Sequence, residues 1–301
     1  MDTSDNTKTS ITVIIPAYNE GLVIGSVVLN ARQYAGHVIV VDDGSKDNTS
    51  EIARLAGAEV ITLEQNAGKS HAMMIAFARA KEIGSPATVM LDGDGQHDPA
   101  EIPAVAAPVL AGAADLVVGS RFLNAKDSEE IPGYRQFGQK VLNKATNVSS
   151  GMKCSDSQSG YRALSRKALE NMDFAANGYG IESEMLAHFA ERGLAITEVP
   201  ITVTYEVPHK HKMNPVKHGL SVLGGIIQLV SIKRPLMCFG VPGFILTVVG
   251  IFMAVQAFDI VAKTGVWSTN VTLIAMMMLM LGMLLVITAL ILYSISALMR
   301  K

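Results

Sequence analysis

Short apolar runs alternate with segments of helical periodicity along the first part of the chain. The β-branched and apolar runs predict strands at residues 11–15, 38–41, 60–63, 87–91 and 116–118. Apolar residues at helical spacing predict helices at 22–34, in a segment that ends at 55, and at 70–83. Ser45, Asp47 and Asn48 are alternative caps of the middle helix. This alternation is typical of an α/β fold with a mostly parallel sheet and helices on both faces.

Two long apolar segments follow near the C-terminus. Residues 236–258 and residues 271–298 contain no charged side chain. About 20 apolar residues span a bilayer as a helix, so each segment is long enough to cross it. A buried core hairpin is the alternative, but it does not explain so long a charge-free stretch. We predict a two-helix transmembrane hairpin.

Basic residues at the ends of the hairpin predict its orientation. Lys233 and Arg234 precede the first helix, and Arg300 and Lys301 follow the second. The connecting loop carries one acid and one base. By the positive-inside rule, both termini and the domain before the hairpin lie in the cytoplasm. We therefore expect a multi-pass protein of a cell membrane or an endoplasmic-type membrane.

A basic and apolar segment links the two regions. Clustered bases at 209–212 precede a stretch that we predict to be an amphipathic helix at 213–234, lying on the cytoplasmic leaflet. The predicted organisation is a cytosolic domain at 1–212, an interfacial helix at 213–234 and a transmembrane hairpin at 235–301. The lipid bilayer is thus a predicted partner.

Net charge and cysteine content exclude several classes of function. The 25 basic and 27 acidic residues nearly balance, so the charge gives no reason to expect nucleic acid as a partner. Cys154 and Cys238 are the only cysteines and lie far apart in the sequence, which argues against a disulfide framework or a zinc site. Reduced thiols fit a cytoplasmic catalytic domain.

The candidate chemistry begins where the fourth predicted strand ends in Asp92-Gly-Asp94. A buried strand delivers both carboxylates to its carboxyl end, where open α/β sheets bind their ligands. Two hard oxygen ligands suit Mg²⁺ or Mn²⁺, and such an ion can hold a diphosphate. A solvated Asp/Gly turn is the alternative for an isolated pair of this kind.

Two common nucleotide-binding motifs do not match the sequence. A dinucleotide fold needs Gly-x-Gly-x-x-Gly after its first strand, where this chain has Pro16-Ala-Tyr-Asn-Glu-Gly21. The segment Asn66-Ala-Gly-Lys-Ser70 resembles the end of a P-loop, but Leu63 stands where the first glycine is required. Lys69 still lies at a helix start, where its ammonium and nearby N–H groups could meet phosphate. A solvated helix-start lysine is the alternative.

Five motifs in a fixed order give the chain a family resemblance. They are Pro16-Ala-Tyr-Asn-Glu20, Val41-Asp-Asp-Gly-Ser45, Asn66-x-Gly-Lys69, Asp92-x-Asp94 and Asp156-Ser-Gln-Ser-Gly-Tyr-Arg162. The chain resembles family 2 glycosyltransferases of the GT-A fold, and among them the polyprenyl-phosphate sugar synthases, the dolichyl-phosphate mannose or glucose synthase group. The resemblance covers residues 10–210 and extends to the two-helix anchor.

The resemblance implies where the nucleoside of a sugar donor would bind. The first turn and the Asp-Asp-Gly-Ser loop hold the nucleoside in the family, so the candidates here are Pro16, Tyr18, Glu20 and Asp43. Asp42 either shares that role or caps the neighbouring loop.

A metal and diphosphate site follows from the same matching. Asp92, Asp94 and Gln96 would hold Mg²⁺ or Mn²⁺, which neutralises charge on the departing diphosphate. Gly93 would let the backbone approach the sugar closely. His97 is expected to be structural.

Cations are expected on the acceptor side. Arg121 and Arg135 match arginines that bind phosphate in the synthases, and a planar guanidinium can hold two phosphate oxygens at once. A surface salt bridge is the alternative for each. Lys210 and Lys212 are candidates for extra phosphate contacts, although the match to the family is loose there. The segment 124–134 between the arginines is predicted to be a mobile acceptor loop.

Three more acids lie near these motifs. Asp156 stands where family 2 enzymes place a base for hydroxyl acceptors. A phosphate oxyanion is already a nucleophile, so we expect Asp156 to orient the acceptor or to organise the arginines. Glu182 and Glu184 are expected to open a helix, with a contribution to the site left open.

The predicted function is the metal-dependent, inverting transfer of one sugar to polyprenyl phosphate, such as dolichyl phosphate. The donor is a UDP- or GDP-sugar, with a slight preference for UDP. A processive polysaccharide synthase would need a Gln-x-x-Arg-Trp segment, and the sole tryptophan, Trp267, lies in the loop of the hairpin. The alternatives are a family 2 transferase that acts on a different lipid-linked acceptor and a non-catalytic membrane adaptor. Whether the protein forms a homo-oligomer is left open.

Overall fold

The chain forms two compact units. The structure, a computed structural model, describes residues 7–123, 143, 146–147, 151–173, 181–204 and 235–299. Contacts within the chain divide it into Met1–Ile226 and Ile227–Lys301. The predicted interfacial helix at 213–234 and the predicted acceptor loop at 124–134 lie outside the described residues.

Strands and helices alternate in the first unit. Its strands are β1 Ile11–Ala17, β2 His37–Asp42, β3 Glu59–Thr62, β4 Ala87–Met90, β5 Leu116–Ser120, β6 Arg162–Ser165 and β7 Ile196–Pro200. Its helices are α1 Ile24–Tyr34, α2 Thr49–Leu55, α3 Lys69–Ile83, α4 Ile102–Leu110, α5 Arg166–Glu170 and α6 Ile181–Glu191. The five strands and three helices predicted from the pattern are confirmed to within two residues at each end.

One seven-stranded sheet runs through this unit in the order β3-β2-β1-β4-β6-β5-β7. β6 runs antiparallel to both of its neighbours, and the other neighbouring pairs are parallel. The predicted mostly parallel sheet is therefore confirmed. The chain moves from β1 outward to β3 and returns to place β4 on the other side of β1. Open α/β sheets bind their ligands at such a change of direction, which lies here at the carboxyl ends of β1 and β4.

Each face of the sheet carries its own apolar core. Val13 and Ile15 of β1 pack in one cluster with α1 and α4, whereas Ile14 packs in the other with α3 and α6. Successive side chains of a strand point to opposite faces, so a single apolar strand contributes to both clusters. The predicted helices on both faces are confirmed.

The second unit contains two long helices. They are α7 Val241–Thr264, which continues a helical turn at Leu236–Gly240, and α8 Thr269–Met299. By length and composition, both are apolar enough to cross a membrane. Asp259 and Lys263, predicted in the connecting loop, instead lie in the last turns of α7. They form an ion pair of 2.6 Å four residues apart, and Gly265 ends the helix in a left-handed conformation.

Small residues form the contact between α7 and α8. Where the structure describes their side chains, the buried positions of the two helices are Gly243, Gly250, Ala257, Ala275, Gly282 and Ala289. On each helix these positions recur every seventh residue, a spacing that favours left-handed packing. A Cβ on Gly250 would lie 3.0 Å from the backbone nitrogen of Leu279. The two backbones therefore approach closely.

Candidate active site

Hydrogen bonds join the turn after β1 to the loop after β2. Asn19 adopts a left-handed conformation with φ of 57°. Its N–H donates to the hydroxyl of Ser45 at 2.8 Å, and its side-chain oxygen accepts from the N–H of Lys46 at 2.8 Å. The N–H of Gly21 donates to Asp47 at 3.1 Å. These bonds hold two of the family motifs together as one surface at the carboxyl ends of β1 and β2.

The predicted nucleoside residues of the first turn lie on this surface. Pro16 belongs to the last part of β1, and Tyr18 is partly exposed just beyond it. The backbone N–H of Glu20 donates to the hydroxyl of Thr49 at 2.9 Å. The structure thus brings Pro16, Tyr18 and Glu20 to one edge of the sheet.

Asp42 and Asp43 are both buried and both bind neighbouring loops. Asp42 accepts from the N–H of Ser45 at 2.9 Å and from the hydroxyl of Ser50, which is the loop-capping arrangement. The two carboxylate oxygens of Asp43 accept from the N–H groups of Ala67 and Gly68, each at 2.8 Å. Asp43 therefore connects the end of β2 to the turn that precedes α3.

That turn places Lys69 between two carboxylates. The Nζ of Lys69 lies 2.6 Å from Asp92 Oδ1 and 2.9 Å from Glu182 Oε1. The side chain of Lys69 is 41% exposed, and that of Asp92 is 29% exposed. Lys69 is thus neither a fully solvated lysine nor a buried one. It links Asp92, just beyond β4, to Glu182 at the start of α6.

The charges of this cluster change its pKa values. Burial lowers the pKa of Lys69, but Asp92 and Glu182 raise it by more, so the net pKa is above its ordinary value. Burial raises the pKa of Asp92, but its net pKa is below the ordinary value, and the charge of Lys69 is the largest cause of the lowering. Lys69 and Asp92 are therefore both ionised at neutral pH.

Asp94 has the opposite shift. Burial, and then the charge of Asp92, raise the pKa of Asp94 above its ordinary value. Its Oδ1 accepts from the N–H of Gln96 at 3.0 Å, so the predicted metal residues share one short loop. The described residues contain no group of three metal-ligating side chains. A protein commonly binds Mg²⁺ through one or two carboxylates, and phosphate oxygens and water complete the coordination. The carboxylates of Asp92 and Asp94 fit such an ion.

Gly93 and His97 fix the position of this loop. A Cβ on Gly93 would lie 3.1 Å from the carbonyl oxygen of Pro16, so Gly93 lets the loop pack against β1. His97 accepts from the N–H of Asp92 at 3.3 Å, and its ring lies 5.0 Å from that of Tyr161. Burial lowers the pKa of His97 to about 4, so the ring is neutral at pH 7. Its position agrees with the predicted structural role.

Arg121 and Asp156 form a bidentate ion pair. The Nε of Arg121 donates to Asp156 Oδ2 at 2.7 Å, and one terminal nitrogen donates to Oδ1 at 2.8 Å. The backbone N–H of Arg121 adds a third bond at 3.1 Å. Asp156 is fully buried, whereas the side chain of Arg121 is 16% exposed. The carboxylate therefore holds the guanidinium in one orientation, and this pair is not a surface salt bridge.

Two residues beside the site were given no role in it from the sequence. Glu182 was expected to open a helix, with a contribution to the site left open, and it contacts Lys69. Arg162 is fully buried and donates to the carbonyl oxygens of Ser157 and Ser159, at 2.7 and 2.9 Å, and of Glu182 at 2.8 Å. It thereby attaches the last motif to the start of α6. The signal in the sequence was its place as the last residue of the motif Asp156 to Arg162.

Three predicted acceptor residues cannot be placed in this geometry. Arg135, Lys210 and Lys212 lie outside the described residues, as does the segment between Arg121 and Arg135 from position 124 onward. Of the residues predicted on the acceptor side, the structure therefore describes Arg121 and Asp156.

Residues 12–173 match the family described as Glycosyl transferase family 2. The chain belongs to this family. A UDP-N-acetylglucosamine–dolichyl-phosphate N-acetylglucosaminyltransferase of Methanococcus voltae is 36% identical to this glycosyltransferase over 239 residues, which are 73% of this chain and 95% of the relative. A polyprenol monophosphomannose synthase of Mycolicibacterium smegmatis is 34% identical over 205 residues, 64% and 76% of the two chains. The predicted resemblance to the polyprenyl-phosphate sugar synthase group is confirmed.

A solved structure of the same fold supports the architecture of this family 2 glycosyltransferase. Glucosyl-3-phosphoglycerate synthase from Mycobacterium tuberculosis, crystallised with Mn²⁺, UDP and phosphoglyceric acid, matches with a TM-score of 0.58 and 23% identity. The match covers 75% of this chain and 80% of that one. At this identity the likeness concerns the fold, and the predicted GT-A fold is confirmed.

Proposed function

We propose that this glycosyltransferase moves one sugar from a nucleotide diphosphate donor to a polyprenyl phosphate, such as dolichyl phosphate. The observation that carries the proposal is the meeting of two charged groups at one edge of the sheet. One is the Lys69, Asp92 and Asp94 cluster, and the other is the Arg121–Asp156 pair. The motif that begins at Asp156 lies against the first group, since a Cβ on its Gly160 would be 2.6 Å from Asp92 Oδ2. The first group suits a diphosphate with its divalent ion, and the second suits a phosphate monoester.

The donor would bind across the carboxyl ends of β1, β2 and β4. Pro16, Tyr18 and Glu20 would contact the nucleoside, with Asp42 and Asp43 fixing the loops around it. The ammonium of Lys69 would donate to diphosphate oxygens and keep its ion pair with Glu182. A UDP-sugar is the preferred donor, and the name of the Methanococcus voltae relative, which specifies a UDP-sugar, supports it.

Mg²⁺ or Mn²⁺ would be held by Asp92, Asp94 and Gln96. The raised pKa of Asp94 supports this assignment, because a carboxylate next to another one is stabilised by added positive charge. When bound, the ion would supply Lewis-acid stabilisation of the negative charge on the leaving diphosphate.

Arg121 would orient the acceptor phosphate, together with Arg135, Lys210 and Lys212. A phosphate oxygen attacks the anomeric carbon, the bond from that carbon to the diphosphate oxygen breaks, and its electron pair leaves with the nucleotide diphosphate. Displacement in one step inverts the anomeric centre. No base is needed, because the attacking oxygen is already ionised. Asp156, whose oxygens both bind Arg121, would therefore act on the arginine and not as a base.

The second unit would anchor the enzyme where its acceptor lies. We propose that α7 and α8 span the bilayer, with both termini and the catalytic domain at 1–212 in the cytoplasm, and with residues 213–234 along the membrane surface. Their length and apolar composition support this proposal. A lipid-linked phosphate lies at the membrane surface, so an anchored active site would meet it there.

Sugar transfer in detergent tests the proposal directly. Purified full-length protein is incubated with dolichyl phosphate and a panel of radiolabelled UDP- and GDP-sugars, with Mn²⁺ and with EDTA. We expect one UDP-sugar to give a lipid-extractable product that disappears in EDTA and returns with Mn²⁺. A product that forms equally in EDTA would overturn the metal assignment, and the absence of product from every donor would overturn the acceptor or the enzyme assignment.

A further inference from the structure

A carboxylate on the last described strand of the sheet binds the turn that carries Asp156. Glu198 lies in β7, and its Oε1 and Oε2 accept from the backbone N–H of Ser155 at 2.9 and 3.0 Å. Oε1 also accepts from the hydroxyl of Ser155 at 2.8 Å and from the N–H of Asp156 at 3.2 Å. The thiol of Cys154 donates to the same oxygen at 3.4 Å. Glu198 therefore gathers the donors of three successive residues, here called the 154–156 turn.

The same turn is also attached to β5. The hydroxyls of Ser155 and Ser120 are 2.6 Å apart, and Ser120 is the last residue of β5. β5 and β7 pair in parallel, with Val118 opposite Glu198. The turn is thus bound from both strands, just before β5 delivers Arg121 to the site.

The fixed turn determines where the carboxylate of Asp156 lies. That carboxylate is fully buried and binds Arg121 at both oxygens. A planar guanidinium is useful for phosphate only in the correct orientation, because its two donors must match two oxygens. A displacement of the 154–156 turn would therefore be transmitted through Asp156 to Arg121.

We propose that Glu198 is a positioning residue for the acceptor phosphate, acting through the 154–156 turn and Asp156 on the guanidinium of Arg121. This inference rests on the proposed function, in which Arg121 binds that phosphate. Replacing the carboxylate by an amide removes an acceptor from partly buried donors of the turn, and leaving such donors unpaired costs free energy. The turn would shift to recover partners, and Arg121 would lose its preset orientation.

Steady-state kinetics of the full-length enzyme in detergent provide the first test. Glu198→Gln is compared with Glu101→Gln, which is a matched control because Glu101 binds the N–H and hydroxyl of Thr202 in the same manner, at 3.0 and 2.9 Å. We expect Glu198→Gln to raise the KM for polyprenyl phosphate about tenfold, which corresponds to ~1.4 kcal/mol. The donor KM should stay within about twofold, and Glu101→Gln should change neither value.

A double-mutant cycle with Arg121→Ala separates positioning from general damage. If Glu198 acts through Arg121, adding Glu198→Gln to the Arg121→Ala variant should produce no further increase in acceptor KM. Equal increases in the two backgrounds would overturn the proposal. So would a rise in donor KM as large as the rise in acceptor KM.

A measurement without substrate distinguishes failure of this inference from failure of the proposed function. In protein labelled with ¹⁵N-arginine, the Nε–H signal of Arg121 is assigned by its loss in Arg121→Lys. We expect this signal to shift or broaden in Glu198→Gln and to stay unchanged in Glu101→Gln. An unchanged signal in Glu198→Gln would overturn the inference, whereas a shifted signal in an enzyme that makes no lipid product would retain the positioning of Arg121 and reject its assigned ligand.

Discussion

The two units of the chain place their apolar residues in opposite ways. The catalytic unit buries large aliphatic side chains, and Ile11, Ile14 and Ile39 are fully inaccessible. The helical hairpin buries small residues and exposes large ones, with Phe252 at 62% and Met280 at 77% exposure. The two units therefore depend on different surroundings for their stability.

This difference concerns the force that holds each unit together. In the catalytic unit, each Å² of apolar surface removed from water contributes about 25 cal/mol, so its large core residues account for most of the driving force. Between α7 and α8, little large apolar surface is buried, and close backbone contact through glycine and alanine provides van der Waals packing instead. The outward apolar face matches the lipid environment proposed for this unit.

The largest expected effect is a loss of activity that leaves the packing of both units unchanged. Asp94→Asn should reduce lipid-linked sugar formation about 10³-fold, a loss of ~4 kcal/mol in transition-state stabilisation, because a metal ligand is removed. The change is isosteric and should leave the folding of both units intact. Asp98→Asn is the control, since Asp98 lies in the same loop and its carboxylate only accepts from the N–H of Ala100 at 2.9 Å among the contacts described. Near-normal transfer by Asp94→Asn would refute the metal assignment.

Two cysteines allow each unit to be followed separately. Cys154 is buried in the catalytic unit, where burial and the charge of Glu198 raise the pKa of its thiol to about 12, and Cys238 belongs to the hairpin. In a Cys238→Ser or a Cys154→Ser background, thiol labelling against denaturant reports the opening of one unit at a time.

The second prediction removes a large residue from the core. Ile14→Ala should destabilise the catalytic unit by about 3 kcal/mol, because a fully buried side chain leaves a cavity on β1. Labelling of Cys154 should begin at lower denaturant concentration, while labelling of Cys238 should not change. Leu29→Ala, at an exposed position of α1, is the control and should stay within about 0.5 kcal/mol. A parallel shift at both cysteines would show that the units unfold as one.

The third prediction adds a large residue to the hairpin contact. A Cβ on Gly282 would lie 2.7 Å from the backbone nitrogen of Thr247 and 2.9 Å from the carbonyl oxygen of Gly243. Gly282→Leu should therefore force the helices apart, at a cost of about 2 kcal/mol. Labelling of Cys238 should become easier, with no change at Cys154. Met280→Leu places the same side chain on the exposed face and should be neutral, so equal effects of the two variants would contradict the assigned contact.

Local periodicity accounts for the part of the fold that the sequence predicted. The strands β1 to β5 are short apolar runs, and the helices α1 to α3 carry apolar residues at helical spacing, whereas α4 was not predicted. β6 and β7 escaped prediction because neither is a continuous apolar run: β6 reads Arg-Ala-Leu-Ser, and β7 reads Ile-Thr-Glu-Val-Pro. The apolar composition predicted two long helices, α7 and α8, but it did not predict which residues form the contact between them. Both helices are apolar on all sides, so only the sevenfold repeat of small residues marked the buried face.

Motifs predicted the charged residues of the candidate site better than their partners. Asp92, Asp94, Arg121 and Asp156 all lie in or beside recognisable segments. Glu198 binds Ser155 across 43 positions of sequence, and its partner is determined by the pairing of β5 with β7. Glu182 meets Lys69 because α6 begins beside the end of β4. Contacts of this kind depend on how the sheet is completed, and a local pattern does not encode them.

The smallest expected effect tests the hairpin from its outside. Met280→Ala removes a large side chain, as Ile14→Ala does, but from a position that faces away from α7 and is 77% exposed. No cavity forms between the helices, so labelling of Cys238 in detergent should change by less than about 0.5 kcal/mol in stability. Met277→Ala, also exposed, should behave alike. A loss comparable to that of Ile14→Ala would mean that the large residues of α8 carry the packing, and the contrast between the two units would fail at that point.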